Sequence, residues 1–159
     1  MQTASPPSRT DEIFLADEQG ARHLGARLGR ALRPGMTILL EGPVGAGKSH
    51  IARAAIHALI GAGIDVPSPT YTLVQTYDTP RGEIWHADLY RLTDPSEIEE
   101  LGLFDAMETA IVLIEWPDRL GESRPEGAVT LSLSHAGEGR RLRIFNAPPG
   151  FLTEPGEAQ

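Results

Sequence analysis

The strongest chemical signal in the sequence is the octapeptide GPVGAGKS at residues 42–49. It matches the pattern G-x-x-x-x-G-K-[ST] of a phosphate-binding loop and lies between an apolar segment and a helical one, the context that the pattern requires. Glycines allow positive φ and carry no Cβ, so successive backbone N–H groups can converge on phosphate oxygens. The helix that follows adds unpaired N–H donors and a partial positive charge. The loop therefore predicts a site for a nucleoside triphosphate.

Two side chains of this loop are expected to contact the nucleotide and its metal. Lys48 would bridge the β- and γ-phosphates, and the Ser49 hydroxyl would ligate Mg²⁺. A second acidic group for the metal normally ends an apolar strand, and Glu115 fits that place after the apolar run at 111–114. A solvated glutamate at a strand end is the alternative, and Trp116 beside it is more typical of packing than of chemistry. The other residues of the predicted nucleotide-binding loop are Gly42, Pro43, Val44, Gly45, Ala46 and Gly47.

The segment EIWHADLYRL at 83–92 alternates like a half-buried strand and carries His86 and Asp88 on one face. A carboxylate that faces the interior is costly unless it is paired, hydrogen-bonded or near a cation. A Mg²⁺-triphosphate would supply that cation, with Asp88 either holding a metal-bound water or orienting the attacking water. A surface strand with both side chains solvated is the alternative. For His86 alone, a structural hydrogen bond is favoured over catalysis.

Apolar periodicity supplies an α/β frame for these residues. The predicted elements are a helix at 17–32, a strand at 36–41, a helix at 48–62, strands at 73–78 and 83–90, a short acidic helix from Asp94, a strand at 110–116, and strands at 129–134 and 140–145. This order predicts a P-loop NTPase-like three-layer sandwich, with a mixed sheet and antiparallel hairpins at its edges.

Length and composition are those of a single-domain globular protein. The chain has 159 residues, 40% hydrophobic and 23% charged, and should bury roughly 70% of its unfolded surface. We expect one domain at 11–146 between mobile tails at 1–10 and 147–159, which are rich in proline, glycine and polar residues. The absence of cysteine excludes disulfide bonds and thiolate metal sites. With no secretory signal and no apolar run that could span a bilayer, we expect a soluble cytoplasmic protein.

The charge balance argues against a protein that binds nucleic acid by itself. The net charge is −8 and the pI about 5.1, whereas affinity for nucleic acid depends mainly on lysine and arginine that neutralise phosphates. Arg140, Arg141 and Arg143 form a local basic cluster. An acidic protein can still bind a nucleotide, because a few backbone N–H groups and one lysine supply the local field.

Four motifs in order, GPVGAGKS at 42–49, SPTYTLV at 68–74, HADLYRL at 86–92 and IEW at 114–116, resemble the TsaE family, the small P-loop ATPases of tRNA threonylcarbamoyladenosine biosynthesis. The resemblance covers about 15–145. It implies a bacterial cytoplasmic protein whose ATP hydrolysis, with Mg²⁺, supports turnover of the TsaB–TsaD complex. That complex transfers a threonylcarbamoyl group to N6 of adenosine 37 in tRNA, and contact of this protein with tRNA is expected to be indirect.

The resemblance also assigns residues. It places Lys48 and Ser49 at phosphate and Mg²⁺, Glu115 at the metal and Asp88 in hydrolysis. It further suggests Asp17, in the opening segment, and Arg140, in the last hairpin, as weaker contacts to the nucleotide. Two departures from the family pattern are mild: the loop has serine at 49 where threonine is common, and His50 replaces a small hydroxyl residue.

A second hydroxyl segment, SPTYT at 68–72, follows the helix of the phosphate-binding loop. In phosphate-switch proteins this connection carries hydroxyls that sense Mg²⁺ and the γ-phosphate. Thr70 is therefore a further candidate for nucleotide binding. By spacing alone, an ordinary Ser-Pro turn that leads into a strand is at least as well supported.

The predicted reaction is in-line attack of water on the γ-phosphate through a loose transition state, which the protein stabilises mainly by positioning and by neutralising charge. The sequence places no arginine as a finger in cis, and Arg91 is the nearest candidate. Because such a finger can supply about 10³ or more in rate, we expect the isolated protein to be slow and a partner to activate it.

Three other functions could use the same loop. A small-molecule or nucleotide kinase would need an acceptor pocket and usually an arginine-bearing lid, for which the chain has little material. A nucleotide-gated binding module would use ATP to shape a docking surface. A GTPase is disfavoured because no N-K-x-D tetrapeptide is present, and the preference for adenine depends on the resemblance.

Overall fold

The computed structural model describes residues 11–152, except 62, 68, 70, 71 and 95. The elements in chain order are β1 (Asp11–Leu15), α1 (Glu18–Ala31), β2 (Thr37–Glu41), α2 (Lys48–Ile60), β3 (Val74–Thr79), β4 (Gly82–Asp88), α3 (Ser96–Leu101), α4 (Leu103–Thr109), β5 (Ile111–Glu115), the 3-10 segment η1 (Pro117–Ser123), β6 (Val129–Ala136) and β7 (Gly139–Phe145).

Within this described part, seven strands form a single sheet in the order β1-β7-β6-β2-β5-β4-β3. The central strands β6, β2, β5 and β4 pair in parallel, and the outer strands β1, β7 and β3 pair antiparallel. The predicted mixed sheet with antiparallel edge hairpins is therefore confirmed. Parallel strands bring their carboxyl ends to the same edge of the sheet, which is where α/β folds bind ligands.

Each face of the sheet has its own hydrophobic core. On one face, α1 and α2 pack over the apolar side chains of the sheet, including Ile38, Leu113 and Leu131. On the other face, α3 and α4 cover Leu39, Val112 and other side chains of the central strands. Helices on both faces of a mostly parallel sheet give the three-layer arrangement expected from the sequence.

The edge strand β1 was not predicted. Its five residues pair antiparallel with β7, from Asp11 opposite Ile144 to Leu15 opposite Arg140. The Glu12 carboxylate of β1 forms ion pairs with two arginines of β7. Its Oε1 lies 3.4 Å from Arg141 Nε, and its Oε2 lies 3.0 Å from Arg143 Nε. Pairing with β7 therefore determines that residues 11–15 form a strand, because the strand propensity of so short a segment is weak by itself.

Several other elements differ from the prediction in their bounds, and the 3-10 segment η1 was not predicted. The acidic segment after position 94 forms two helices, which are separated at Gly102 with φ +83°. Helix α1 starts at Glu18, one residue later than expected. Asp17 is its N-cap, and the Asp17 side chain accepts a hydrogen bond from the Gly20 N–H at 2.9 Å.

Helices α1 and α2 approach closely through two buried glycines of α1. A Cβ atom at position 25 would lie 2.3 Å from the Cβ of Ala54, and one at position 29 would lie 2.6 Å from the Ala55 carbonyl oxygen. Glycine costs up to about 1 kcal/mol relative to alanine inside a helix. The close contact with α2 explains why α1 contains these residues.

We expect Gly25→Ala to lower the free energy of unfolding by about 1–3 kcal/mol, because the added methyl group overpacks the contact between α1 and α2. Urea denaturation measures this difference. Gly20→Ala is the matched control, since a Cβ there would meet nothing closer than 3.7 Å and helix propensity favours alanine. Equal unfolding midpoints for the wild-type protein and Gly25→Ala would contradict the close packing.

Part of the segment after β7 packs against the domain, although its composition is typical of a mobile tail. Residues 147–152 belong to the predicted C-terminal tail, yet Leu152 is 5% exposed and lies in the core beside α1 and α2. Its carbonyl oxygen accepts a hydrogen bond from Arg27 Nη1 at 3.0 Å. The division into one domain with two tails stays a prediction. Across the described ranges, none of the helices has the length and apolar character that a membrane crossing requires.

Candidate functional site

The phosphate-binding loop connects β2 to α2, and its glycines adopt backbone angles that other residues rarely adopt. The φ angle is +146° at Gly42, +83° at Gly45 and +104° at Gly47. A Cβ atom at position 42 would lie 2.7 Å from the Leu133 carbonyl oxygen, whereas nothing lies within 4 Å of one at positions 45 and 47. Glycine at 42 therefore permits a close turn, and glycines at 45 and 47 leave the backbone open to an approaching anion.

Lys48 is almost fully buried at the start of α2, with 5% exposure. Its ammonium group donates hydrogen bonds to the carbonyl oxygens of Gly42 at 2.6 Å and Pro43 at 3.0 Å. It also lies 4.0 Å from the centre of the Trp116 ring, within range of a cation–π interaction. Burial lowers the pKa of Lys48, and the carboxylates of Glu115, Asp88 and Asp118 oppose this shift. The lysine is thus held inside the loop and close to acidic groups.

Glu115 ends β5 and faces the phosphate-binding loop. Its register partner on β2 is Leu40, one residue before the end of that strand. The carboxylate is 2% exposed, which rules out the solvated glutamate considered above. Its Oε1 accepts a hydrogen bond from Ser49 Oγ at 2.7 Å, and its Oε2 lies 2.7 Å from His86 Nε2. Both oxygens of this carboxylate are therefore engaged.

Asp88 lies opposite Glu115 on the neighbouring parallel strand β4. It is 5% exposed, and its Oδ1 accepts a hydrogen bond from the Tyr90 N–H at 3.0 Å. This register accounts for the inward-facing carboxylate that the alternation of residues 83–92 predicts. It places two buried carboxylates side by side at the edge of the sheet, next to Lys48.

These residues line one cavity of about 410 Å³. Lys48, Ser49, Asp88 and Glu115 all contribute to its wall, so the structure brings together the residues expected to act on the phosphates. A hydroxyl and carboxylates are the oxygen ligands that Mg²⁺ prefers, and this ion is usually held by one or two carboxylates plus phosphate oxygens and water. Among the described residues, no group of three or more histidine, aspartate or glutamate side chains is arranged to hold a metal ion.

A second cavity of about 420 Å³ adjoins the first, and the two share Gly45, Gly47 and His50. Asp17 contributes to its wall from the opening segment and Arg140 from the hairpin between β6 and β7. Arg140 Nη2 donates a hydrogen bond to the Gly45 carbonyl oxygen at 3.0 Å. Both weaker candidates from the sequence therefore lie beside the phosphate-binding loop.

Other sequence candidates have different outcomes. Thr70 lies outside the described residues, and Arg91 lines neither of these two cavities. Arg53, which was not considered, lines the first cavity. Arg53 and Ser49 are four residues apart on α2, so helical periodicity could have placed both on the same face.

Trp116 combines packing with a place at the site. It packs against the core under α3 and α4, lines the first cavity and has φ +59°. Its ring centre lies 4.8 Å from that of Tyr90. A positive φ is uncommon for a bulky side chain, and such strain clusters at functional sites. Trp116 therefore packs in the core and also borders the cavity.

A family profile described as "Threonylcarbamoyl adenosine biosynthesis protein TsaE" matches residues 15–143. The chain belongs to the TsaE family. Every residue named above as lining the two cavities falls inside this match. The resemblance noted in the sequence is thereby confirmed.

Individual TsaE proteins are similar over most of their length. One from Rickettsia bellii is 34% identical over 131 residues, covering 82% of this chain and 91% of the relative. One from Nostoc sp. is 37% identical over 139 residues, with 82% of each chain covered. One from Haemophilus influenzae is 32% identical over 138 residues, covering 83% and 87%. Each carries the name "tRNA threonylcarbamoyladenosine biosynthesis protein TsaE".

The fold of this TsaE chain also matches a solved structure. The crystal structure of YdiB from Bacillus subtilis superposes with a TM-score of 0.68, covering 88% of this chain and 87% of the other, at 20% sequence identity. At that level of identity the likeness establishes the shared architecture.

Proposed function

We propose that the protein is a Mg²⁺-dependent ATPase that hydrolyses ATP in support of the TsaB–TsaD complex during N6-threonylcarbamoyladenosine modification of tRNA. The observation that carries the proposal is the cavity in which Lys48, Ser49, Asp88 and Glu115 meet beside the glycine-rich loop, in a chain of the TsaE family. Such a role would place the protein in the cytoplasm, and its contact with tRNA would be indirect.

The loop and Lys48 would bind the triphosphate. The N–H groups of a glycine-rich loop and of a helix N-terminus converge on phosphate oxygens, and α2 begins at Lys48 directly after Gly47. The ammonium group now bonds to two carbonyl oxygens of the loop. We expect it to exchange these for the β- and γ-phosphate oxygens, because a charged acceptor forms the stronger hydrogen bond.

Ser49 and Glu115 would hold Mg²⁺. The Ser49 hydroxyl donates a hydrogen bond to Glu115 at 2.7 Å, so the two side chains are close enough to hold the same ion. The ion would supply positive charge that offsets the negative charge developing on the phosphates. The buried position of Glu115 keeps its carboxylate away from competing solvent.

Asp88 would act on water in the same cavity. Its carboxylate accepts a hydrogen bond from the Tyr90 N–H. Because Asp88 lies opposite Glu115, it would face the metal side of bound phosphates. From there it would orient the attacking water or hold a metal-bound water. Either role requires an ionised carboxylate that accepts hydrogen bonds.

The second cavity would receive the nucleoside. It adjoins the phosphate cavity through Gly45, Gly47 and His50, as the two ends of one bound nucleotide require. Asp17 and Arg140 border it and would contact the sugar or base. We propose ATP as the nucleotide on the basis of family membership.

The experiment that tests this function is phosphate release from ATP by the isolated protein, with Mg²⁺ and with EDTA. Release should require Mg²⁺ and no phosphoryl acceptor. Phosphorylation of an added nucleoside or sugar in place of phosphate release would identify a kinase. Absence of ATP binding would remove the proposal.

We expect TsaB–TsaD to raise the rate of phosphate release by about tenfold or more, because an arginine finger supplied in trans accelerates such reactions by up to about 10³–10⁵. Steady-state hydrolysis with and without TsaB–TsaD measures the effect, with TsaB–TsaD alone as the background control. Equal rates would contradict activation by this complex. Arg53, which lines the cavity, would then be the first residue of this chain to test as the catalytic arginine.

A further inference from the structure

His86 is completely buried, with 0% exposure, on β4 between strands β5 and β3. On β4 it faces the same side as Asp88, since side chains alternate along a strand. It does not line either cavity at the phosphate-binding loop. A buried imidazole is costly unless its polar atoms find partners, so its contacts indicate what it does.

The polar contact of His86 goes to Glu115. Its Nε2 lies 2.7 Å from Glu115 Oε2. An ionised carboxylate can only accept, so a hydrogen bond at this distance assigns the imidazole proton to Nε2. Within the described part of the chain, Nδ1 has no hydrogen-bond partner. The ring thus leaves Nδ1 buried without a hydrogen bond and points Nε2 at the Glu115 carboxylate.

Two donors therefore fix Glu115, one on each oxygen. Ser49 Oγ donates to Oε1 and His86 Nε2 to Oε2. A glutamate side chain has three rotatable bonds, and ordering it costs conformational entropy. When Ser49 turns its oxygen toward a metal ion, His86 is the donor that remains on the carboxylate. Hydrogen bonds from such outer residues commonly orient metal-binding carboxylates and change metal affinity by about 10- to 100-fold.

We propose that His86 is a positioning residue, which holds Glu115 in the orientation that binds Mg²⁺ at the triphosphate. This inference rests on the function proposed above and assigns His86 no contact with the nucleotide. It explains why a strand should carry an inward-facing histidine two residues before Asp88. His86 contacts Glu115 on the neighbouring strand β5, whereas Asp88 lines the cavity itself.

The test compares Mn²⁺ binding, by electron paramagnetic resonance, in the presence of a non-hydrolysable ATP analogue. His86→Phe keeps a ring but removes the donor, and we expect metal affinity to fall by about 10- to 100-fold. His86→Gln can place an amide N–H near the position of Nε2, and we expect affinity within about threefold of the wild-type protein. Analogue affinity in EDTA should change little in either variant. His23→Phe, an exposed site on α1, is the matched control.

A second pair of variants keeps the test decisive if phenylalanine prevents folding. Asparagine has the same amide as glutamine on a side chain one carbon shorter, so it falls short of Glu115. We expect His86→Asn to lose metal affinity and His86→Gln to keep it, with thermal melting as the check on folding. Equal metal affinity in these two variants, or wild-type affinity in a folded His86→Phe, would overturn the positioning role alone. Failure of the wild-type protein to bind Mn²⁺ with the analogue would overturn the proposed function as well.

Discussion

Lys48→Met is expected to reduce ATP hydrolysis by about 10²–10³, the loss typical of removing one hydrogen-bond donor to a negative charge that develops in the transition state. The ammonium group is buried beside Glu115, Asp88 and Asp118 and bonded to the loop carbonyls. No other lysine is present in the whole sequence, so another lysine cannot take its place. Phosphate release under single-turnover conditions measures the change, and calorimetry with an ATP analogue measures the accompanying loss of affinity.

The stability of Lys48→Met shows whether its lower hydrolysis comes from the missing ammonium group or from unfolding of the protein. Burial lowers the pKa of Lys48 from its ordinary value of 10.5, so the folded protein binds this proton more weakly than the unfolded chain does. The resulting penalty is fully present below the lowered folded-state pKa and is relieved as pH rises through that pKa toward 10.5. Methionine has a similar length and no charge, so we expect Lys48→Met to unfold at the wild-type urea concentration or above it.

Arg22→Met is the control for charge removal, because Arg22 lies exposed on α1. It should leave both hydrolysis and nucleotide affinity unchanged. Wild-type hydrolysis by Lys48→Met would mean that the loop binds phosphate through its backbone alone, and the role given to the lysine would then be wrong.

The parts of the site that follow from local sequence were predictable. The glycine-rich loop needs only its own positive φ angles and a helix start, and both lie within eight consecutive residues. Alternation predicted a strand at 83–90, and the observed strand is Gly82–Asp88. The predicted division of faces agrees with the two cores, since Ile84 lies under α1 and α2 while Ala87 and Leu89 lie under α3 and α4. The spacing of apolar residues and the local composition are enough to predict such features, because each depends on a few consecutive residues.

Features that depend on pairing between strands were not predictable. The contact between His86 and Glu115 joins residues 29 positions apart, and it exists because β4 and β5 pair in parallel with Asp88 opposite Glu115. A shift of one residue in that register would turn one carboxylate to the opposite face of the sheet. The edge strand β1 is a similar case, since it is defined by β7. Sequence pattern specified which residues face inward, and register specified which of them meet.

Asp88→Asn is expected to lower the rate of ATP hydrolysis by about 10²–10⁴, the contribution of a positioned carboxylate that handles the reacting water. The change preserves shape, and the amide oxygen can still accept the hydrogen bond from the Tyr90 N–H. It removes the negative charge that lies beside Glu115 in the cavity. Binding of ATP should persist, because the loop and Lys48 remain. Asp78→Asn, on an exposed position of β3, is the control.

Metal affinity then distinguishes the two roles left open for Asp88. If its carboxylate holds a metal-bound water, Asp88→Asn should weaken Mn²⁺ binding in the presence of an ATP analogue as well as hydrolysis. If it orients the attacking water, metal affinity should stay at the wild-type value while hydrolysis falls. Wild-type hydrolysis in this variant would contradict both roles. A variant that binds ATP, assembles with TsaB–TsaD and supports tRNA modification without hydrolysis would instead favour a nucleotide-gated binding module, in which ATP shapes the docking surface and its hydrolysis only resets it.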